Sequence, residues 1–211
     1  MEFTFNRDEA DRLIQDYGIP TSMFKPYIEN QQVLQERARI LEDGLFVRED
    51  NKLVPDYRAM IDHYQDFLQP VANALVQVLQ ESGRDSRSER IEIAMKFVQD
   101  IPYAIPNNDT RRMYYGGITS PPETLLNGYG DCDTKVILFI CILSHLIDRN
   151  DIVIIDQPGH LLTAIRGKKP TNGTYIKYKG ATYILAETAG PGRMNWGEIY
   201  DGVPRVSVID I

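Results

Sequence analysis

YGDCDTKVILFICILSHL, residues 129–146, sets a thiol between two carboxylates at the head of an almost unbroken apolar run. A run without a polar face reads as a helix buried on every side. Cys141 lies inside the run, where a structural cysteine belongs, and Cys132 lies at its edge. Gly128 and Gly130 precede Cys132 and let the backbone turn sharply, which puts the thiol in the first helical turn. There, amides without an intrahelical acceptor and the macrodipole favour an anion, whether a thiolate or a developing oxyanion. Asp131 and Asp133 are expected to cap the helix and to face away from the sulfur, where their charge would oppose a thiolate. The plain alternative is an inert, half-buried thiol.

Beyond this helix the hydrophobic period changes from 3.6 to 2. IVIID and HLLTAI read as strands, and TYIKY-KG-ATYILAE reads as a hairpin turning at Lys179-Gly180. A nucleophilic thiol requires a base, and the chain has three histidines. His145 follows Cys132 by thirteen residues on the expected helix, about 20 Å by helical rise, out of reach. His63 sits on a helix rich in solvent-type residues. His160 opens the strand HLLTAI, a junction from which a sheet can present a side chain to a helix N-terminus. It is the candidate base. An orienting acid would complete the set. Glu187, in phase with Tyr183 and Leu185 at the end of ATYILAE, is the pick over Glu198 and Asp201, unless the strand has already ended and Glu187 is solvated.

Upstream, the first half reads as helical. DEADRLIQDYG is an expected helix with Asp8 near its start and Gly18 as its C-cap. Residues 23–44 place Ile28, Val33, Leu34, Ile40 and Leu41 at near-helical spacing, with Pro26 limiting the start. A small hairpin is expected around Asp50-Asn51, then a long helix over 57–80 kinked at Pro70. RSERIEIAMKFVQDI puts Ile91, Met95 and Val98 on one face under a Ser88 cap. The stretch from Pro102 to Pro122 is rich in proline, glycine and aromatics. It reads as an ordered loop, either a connector or a cleft wall offering Tyr103, Tyr114 and Tyr115 to a substrate.

With 211 residues, 43% hydrophobic and 25% charged, the chain can build a proper core. The expected layout is α+β: an N-terminal helical extension over 1–85 and, over 86–211, a core in which the thiol helix packs on an antiparallel sheet. A net charge of −7 and a pI near 5.0 argue against nucleic acid as a partner. No apolar run reaches the roughly 18 residues of a membrane span. No signal peptide precedes the first helix, which fits a cytoplasmic protein or an exported one whose leader is absent from the chain. The two cysteines, nine residues apart on one helix, are separated by about 13 Å and stay unpaired. Scattered Cys and His positions lack zinc-ligand spacing and no EF-hand pattern occurs, so neither metal nor cofactor is expected.

The order Cys132, His160, Glu187 resembles the transglutaminase-like superfamily, a branch of the papain-like cysteine enzymes. PPETLLNGYGDCDTKVILFICIL is similar to its nucleophile block, GHLLTAI to its histidine block, and TYILAETAG with MNWGEI to its acid block in a bacterial form. FVQDIPYAIP precedes them, and the likeness covers about residues 90 to 200. It implies Cys132 as nucleophile, His160 as base and Glu187 as orienting acid, acting on peptide or carboxamide bonds of a peptide or protein substrate. The animal cross-linking members carry Trp after the nucleophile, where this chain has Asp133. That departure favours a thiol peptidase or amidase over a cross-linking enzyme. The competing expectations are a non-catalytic binding module on the same fold and, more remotely, a peptidoglycan amidase.

Overall fold

The computed structural model describes residues 2–21, 31, 32, 35, 39, 45–49, 52–105, 113–190, 192–200 and 206–211. At its centre is the helix read first, α6 in the numbering used here, over Cys132–Leu143. Every residue of it from Thr134 to Leu143 is buried, including Lys135. Asp131 is the N-cap, its side chain accepting from the Thr134 amide at 3.1 Å. The helix ends at Leu143, short of His145, with Ser144 as C-cap donating its hydroxyl to the Ile140 carbonyl.

Against α6 packs a curled antiparallel sheet of five strands: β5 (Ile152–Gln157), β6 (His160–Arg166), β7 (Tyr175–Tyr178), β8 (Ala181–Ala186) and β9 (Ser207–Asp210). Their spatial order is β7-β8-β6-β5-β9. Strand β9 adds an edge that the sequence reading did not anticipate. Lys179 and Gly180 both take positive φ, 46° and 76°, the twist a two-residue hairpin requires. The β5–β6 hairpin turns through Pro158-Gly159, with Gly159 at φ 78°, and pairs Gln157 with His160. One sheet face joins the main core through Ile154, Leu161 and Ile165. The other buries Val153, Ile155, Leu162 and Leu185 in a smaller cluster.

The upstream helices surround the remaining sides of α6. Helix α1 (Arg7–Gln15) is capped by Asn6, which accepts from the Asp8 and Glu9 amides, and ends at Asp16 rather than at Gly18. Gly18 still matters: a Cβ there would stand 2.9 Å from the Tyr115 ring. Strand β1 (Ile19–Pro20) pairs with β4 (Met113–Tyr114), and β2 (Phe46–Glu49) with β3 (Lys52–Pro55). The hairpin turn Asp50-Asn51 and the apolar positions Ile28, Val33, Leu34, Ile40 and Leu41 lie outside the described residues.

The single long helix expected over 57–80 is two helices. Helix α2 (Tyr57–Tyr64) runs into a 3₁₀ turn over Gln65–Leu68, and α3 (Gln69–Glu81) follows. Pro70 lies in the first turn of α3, where its missing N–H leaves no bond unmade, so the proline starts a helix instead of kinking one. Helix α4 (Arg87–Gln99) is capped by Ser86, not Ser88, and Ser86 also donates to Glu89. It buries Ile91, Met95 and Val98. The short α5 (Pro121–Asn127) ends on Gly128 in the left-handed conformation.

One buried cluster contains Ala10, Leu13 and Tyr17 of the N-terminal part, Met60 and Leu75, and the whole apolar face of α6. It is continuous across the expected boundary at residues 85 and 86. No helix among the described residues is long and apolar enough to cross a membrane.

Candidate active site

Cys132 is the first residue of α6 and is half-buried. Its own amide is among the four that helix geometry leaves without an intrahelical acceptor. The approach to it is tightly fixed. Gly130 donates to the Pro102 carbonyl at 3.1 Å and accepts from the Ala104 amide at 3.2 Å, a parallel bridge opposite Tyr103. A Cβ on Gly130 would meet the Thr134 methyl at 2.9 Å and the Thr124 methyl at 3.3 Å, so glycine is required here for close packing.

His160 reaches the same spot from the start of β6. Thr163 pairs with Ala186, and one further step in that register puts Glu187 on the same sheet face as His160. The imidazole Nε2 meets Glu187 Oε2 at 2.7 Å. The hydrogen bond with Cys132, then that with Glu187, raise the His160 pKa from its ordinary 6.5 to about 10, against the opposing effect of burial. The structure therefore brings Cys132, His160 and Glu187 together in series.

Glu187 lies just past β8, and its side chain is only 3% exposed. Its second oxygen accepts from the Ala189 amide at 2.8 Å. Its carbonyl accepts from Gln99 Nε2 at 2.7 Å, and Gln99 also joins Met194 through both its amide atoms. From α6, one turn below Cys132, the buried Lys135 ammonium donates to the Ala189 carbonyl at 3.2 Å. Burial pulls the Lys135 pKa down, and the charges of Glu187 and Asp100 push it back. Thus the Glu187 loop is tied to α4 and to α6 itself.

Lys135 was legible as a lone cation inside an apolar run. Gln99, in the plain stretch FVQDIP, carried no signal. Tyr57, at the start of α2, was also missed. Burial, followed by the charges of Asp133, Asp156 and Cys132, raises its hydroxyl pKa.

Asp133 contradicts its expected orientation. It turns toward the sulfur, and Cys132 Sγ donates to Asp133 Oδ1 at 3.2 Å. Asp131 alone does the capping, and once the Thr134 amide is satisfied the second carboxylate is free to rotate to the thiol. Among the three loop tyrosines, Tyr103 is 56% exposed, and the charges of Cys132, Asp131 and Asp133 act on it. Tyr114 is exposed and donates its hydroxyl to the Leu53 carbonyl, away toward β3. Tyr115 corrects the expectation. It is 3% exposed and packs on Tyr17, whose hydroxyl donates to its carbonyl, so its ring cannot stack on a substrate.

The other titratable candidates are engaged elsewhere. His145 Nε2 lies 2.8 Å from the Gln65 carbonyl in the helical core. His63 is exposed, with its ring edge-on to Tyr64. Glu198 accepts from the Asn195 amide, and Asp201 lies outside the described residues. Cys141 is fully buried, and burial drives its thiol pKa far up. Among the described residues no three His, Cys, Asp or Glu side chains are grouped to hold a metal ion. Compared with known proteins, the sequence matches no family model and no curated protein.

Proposed function

We propose that the protein is a thiol-dependent hydrolase or acyl transferase acting on peptide or carboxamide bonds, built on a transglutaminase-like core. The observation that carries this reading is the series Glu187–His160–Cys132 at a helix N-terminus, with the acid buried and the base 2.7 Å from it. The order of elements supports it: nucleophile helix, then histidine at the head of one strand, then acid just past a neighbouring strand, as in the resemblance noted above.

In this mechanism His160 accepts the thiol proton, and the Cys132 thiolate attacks the substrate carbonyl. The oxyanion is met by amides of the first turn of α6. The imidazolium, oriented and stabilised by Glu187, protonates the leaving amine, and a thioester remains on Cys132. Water, or an acceptor amine in the transfer version, then resolves the thioester with His160 as base. Tyr103, exposed and bridged to Gly130 just ahead of Cys132, contacts the substrate in this reading.

One observation favours a second reading, a binding module with an idle site: the Asp133 carboxylate accepts the thiol proton and opposes a thiolate. Iodoacetamide separates the two. An enzyme shows fast alkylation of Cys132 with an apparent pKa well below about 8.5, and His160→Ala abolishes that advantage. An idle site shows one slow rate in wild type, His160→Ala and Glu187→Gln alike, and that result would end the enzymatic reading.

A further inference from the structure

The thiol of Cys132 has two competing partners. His160 hydrogen-bonds to it from β6, and Asp133 accepts its proton at 3.2 Å from the next position of α6. The two states differ in whether the sulfur holds its proton. With the proton on sulfur, the thiol donates to the Asp133 carboxylate. With it gone, a thiolate faces the His160 imidazolium on one side and a carboxylate on the other. The second state is penalised only while Asp133 is ionised. A protonated Asp133 instead donates its O–H to the thiolate, and the repulsion becomes a hydrogen bond.

We propose that Asp133 gates the nucleophile: its ionised carboxylate holds Cys132 in the resting thiol form, and its neutralisation releases the thiolate–imidazolium pair. This rests on the thiol chemistry proposed above. Asp133 is placed for such a role. It is half-buried, the groups that act on it are Asp131, Asp156, Cys132 and His160, and its own charge acts on Tyr57 and Tyr103. Burial, chiefly, raises its pKa above the ordinary carboxylate range, and the charges of Asp131 and Asp156 add to that, against the thiol bond and His160. Neutralisation can therefore come from mildly acidic pH. It can also come from a cationic substrate group pairing with the carboxylate, so the gate couples reactivity to the charge of the ligand.

The test is the pH profile of iodoacetamide alkylation at Cys132 in wild type, Asp133→Asn, Asp133→Ala and His160→Ala. Removing the like charge should lower the apparent pKa of Cys132 by about one unit or more in Asp133→Asn. That gives roughly tenfold more thiolate at pH below both values. Lower basicity makes each thiolate about threefold less nucleophilic, so the alkylation rate should rise about threefold. Asp133→Ala, which removes the charge without supplying a donor, should shift in the same direction by less.

Wild type supplies a check that needs no variant to fold. Its profile should carry a further acidic limb from Asp133 beyond the titration of the coupled Cys132–His160 pair. A fast, His160-dependent thiol without that acidic limb, or with an apparent pKa unmoved or raised in Asp133→Asn, would overturn the gate alone. A slow thiol indifferent to His160→Ala would overturn the gate together with the proposed chemistry.

Discussion

A carboxylate buried as deeply as Glu187 needs donors around it, and here they are the imidazole and the Ala189 amide, with the Lys135 ammonium on α6 coupled to it by charge. The Glu187 charge and the thiol bond both favour the protonated imidazole. The protonated form is thus the stabilising one, and the sign of the pH effect follows. The folded pKa of about 10 lies above the unfolded value of 6.5. The contribution is complete below about pH 6.5 and is lost as pH rises toward 10. Thermal midpoints measured from pH 6 to pH 10 should therefore fall more steeply in wild type than in His160→Gln. Parallel slopes would show that the imidazole gains nothing on folding. For turnover, Cys132→Ala and His160→Ala should each abolish activity, and the double variant should cost little more, because the members act as one unit. Glu187→Gln keeps the shape and one acceptor but loses the charge. It should reduce turnover by on the order of 10²-fold and leave a measurable residue.

Helix α6 is core along its length and carries the candidate thiol in its first turn. Ile140 is fully buried in the middle of it, so Ile140→Ala should destabilise by about 2–5 kcal/mol in denaturant unfolding while leaving the alkylation rate of folded protein unchanged. Gly130→Ala acts at the other end. Its methyl would collide with Thr134 and Thr124, and the strain falls on the first turn, so it should slow Cys132 alkylation as well as destabilise by about 1–3 kcal/mol. An unchanged alkylation rate would show that the first turn absorbs the methyl without moving the sulfur. Such elements were legible because each advertises itself in local chemistry: an apolar run of helical length, alternation in HLLTAI, and Lys179-Gly180 between two alternating strands. The misreadings came from choices that nearby residues settle between themselves. Ser86 and Ser88 are both competent caps, and Pro70 fits the start of a helix as well as a kink. Whether Asp133 points at solvent or sulfur depends on which carboxylate takes the Thr134 amide. Tyr115 and Gln99 were illegible for another reason. Their roles exist only after Tyr17 and Glu187, distant in sequence, have been brought against them.

Across the whole molecule, the N-terminal helices are not a separate layer, because α6 is their core as much as the sheet's. The buried Cys141 thiol lies 4.0 Å from the Ile61 carbonyl, and His145 contacts the Gln65 carbonyl. The charge of Asp133 acts on the Tyr57 hydroxyl, at the start of α2. Met60, Ile61, Tyr64, Leu68, Val71 and Leu75 are all buried in the cluster that contains α6. Burial of each large side chain is worth about 1.5–3 kcal/mol, and a typical domain is held by only roughly 5–15 kcal/mol net, so α6 cannot lose all six of these neighbours and stay folded. A fragment of residues 86–211 should therefore lack a cooperative unfolding transition and bind hydrophobic dyes. Its Cys132 should alkylate as an ordinary thiol, since His160 and Glu187 would lose their fixed setting. Limited proteolysis of the full chain offers the opposite outcome a fair chance. A stable product beginning near residue 86, with sharp thermal unfolding and the His160-dependent reactivity of the intact protein, would make residues 1–85 an appendage with a purpose of its own.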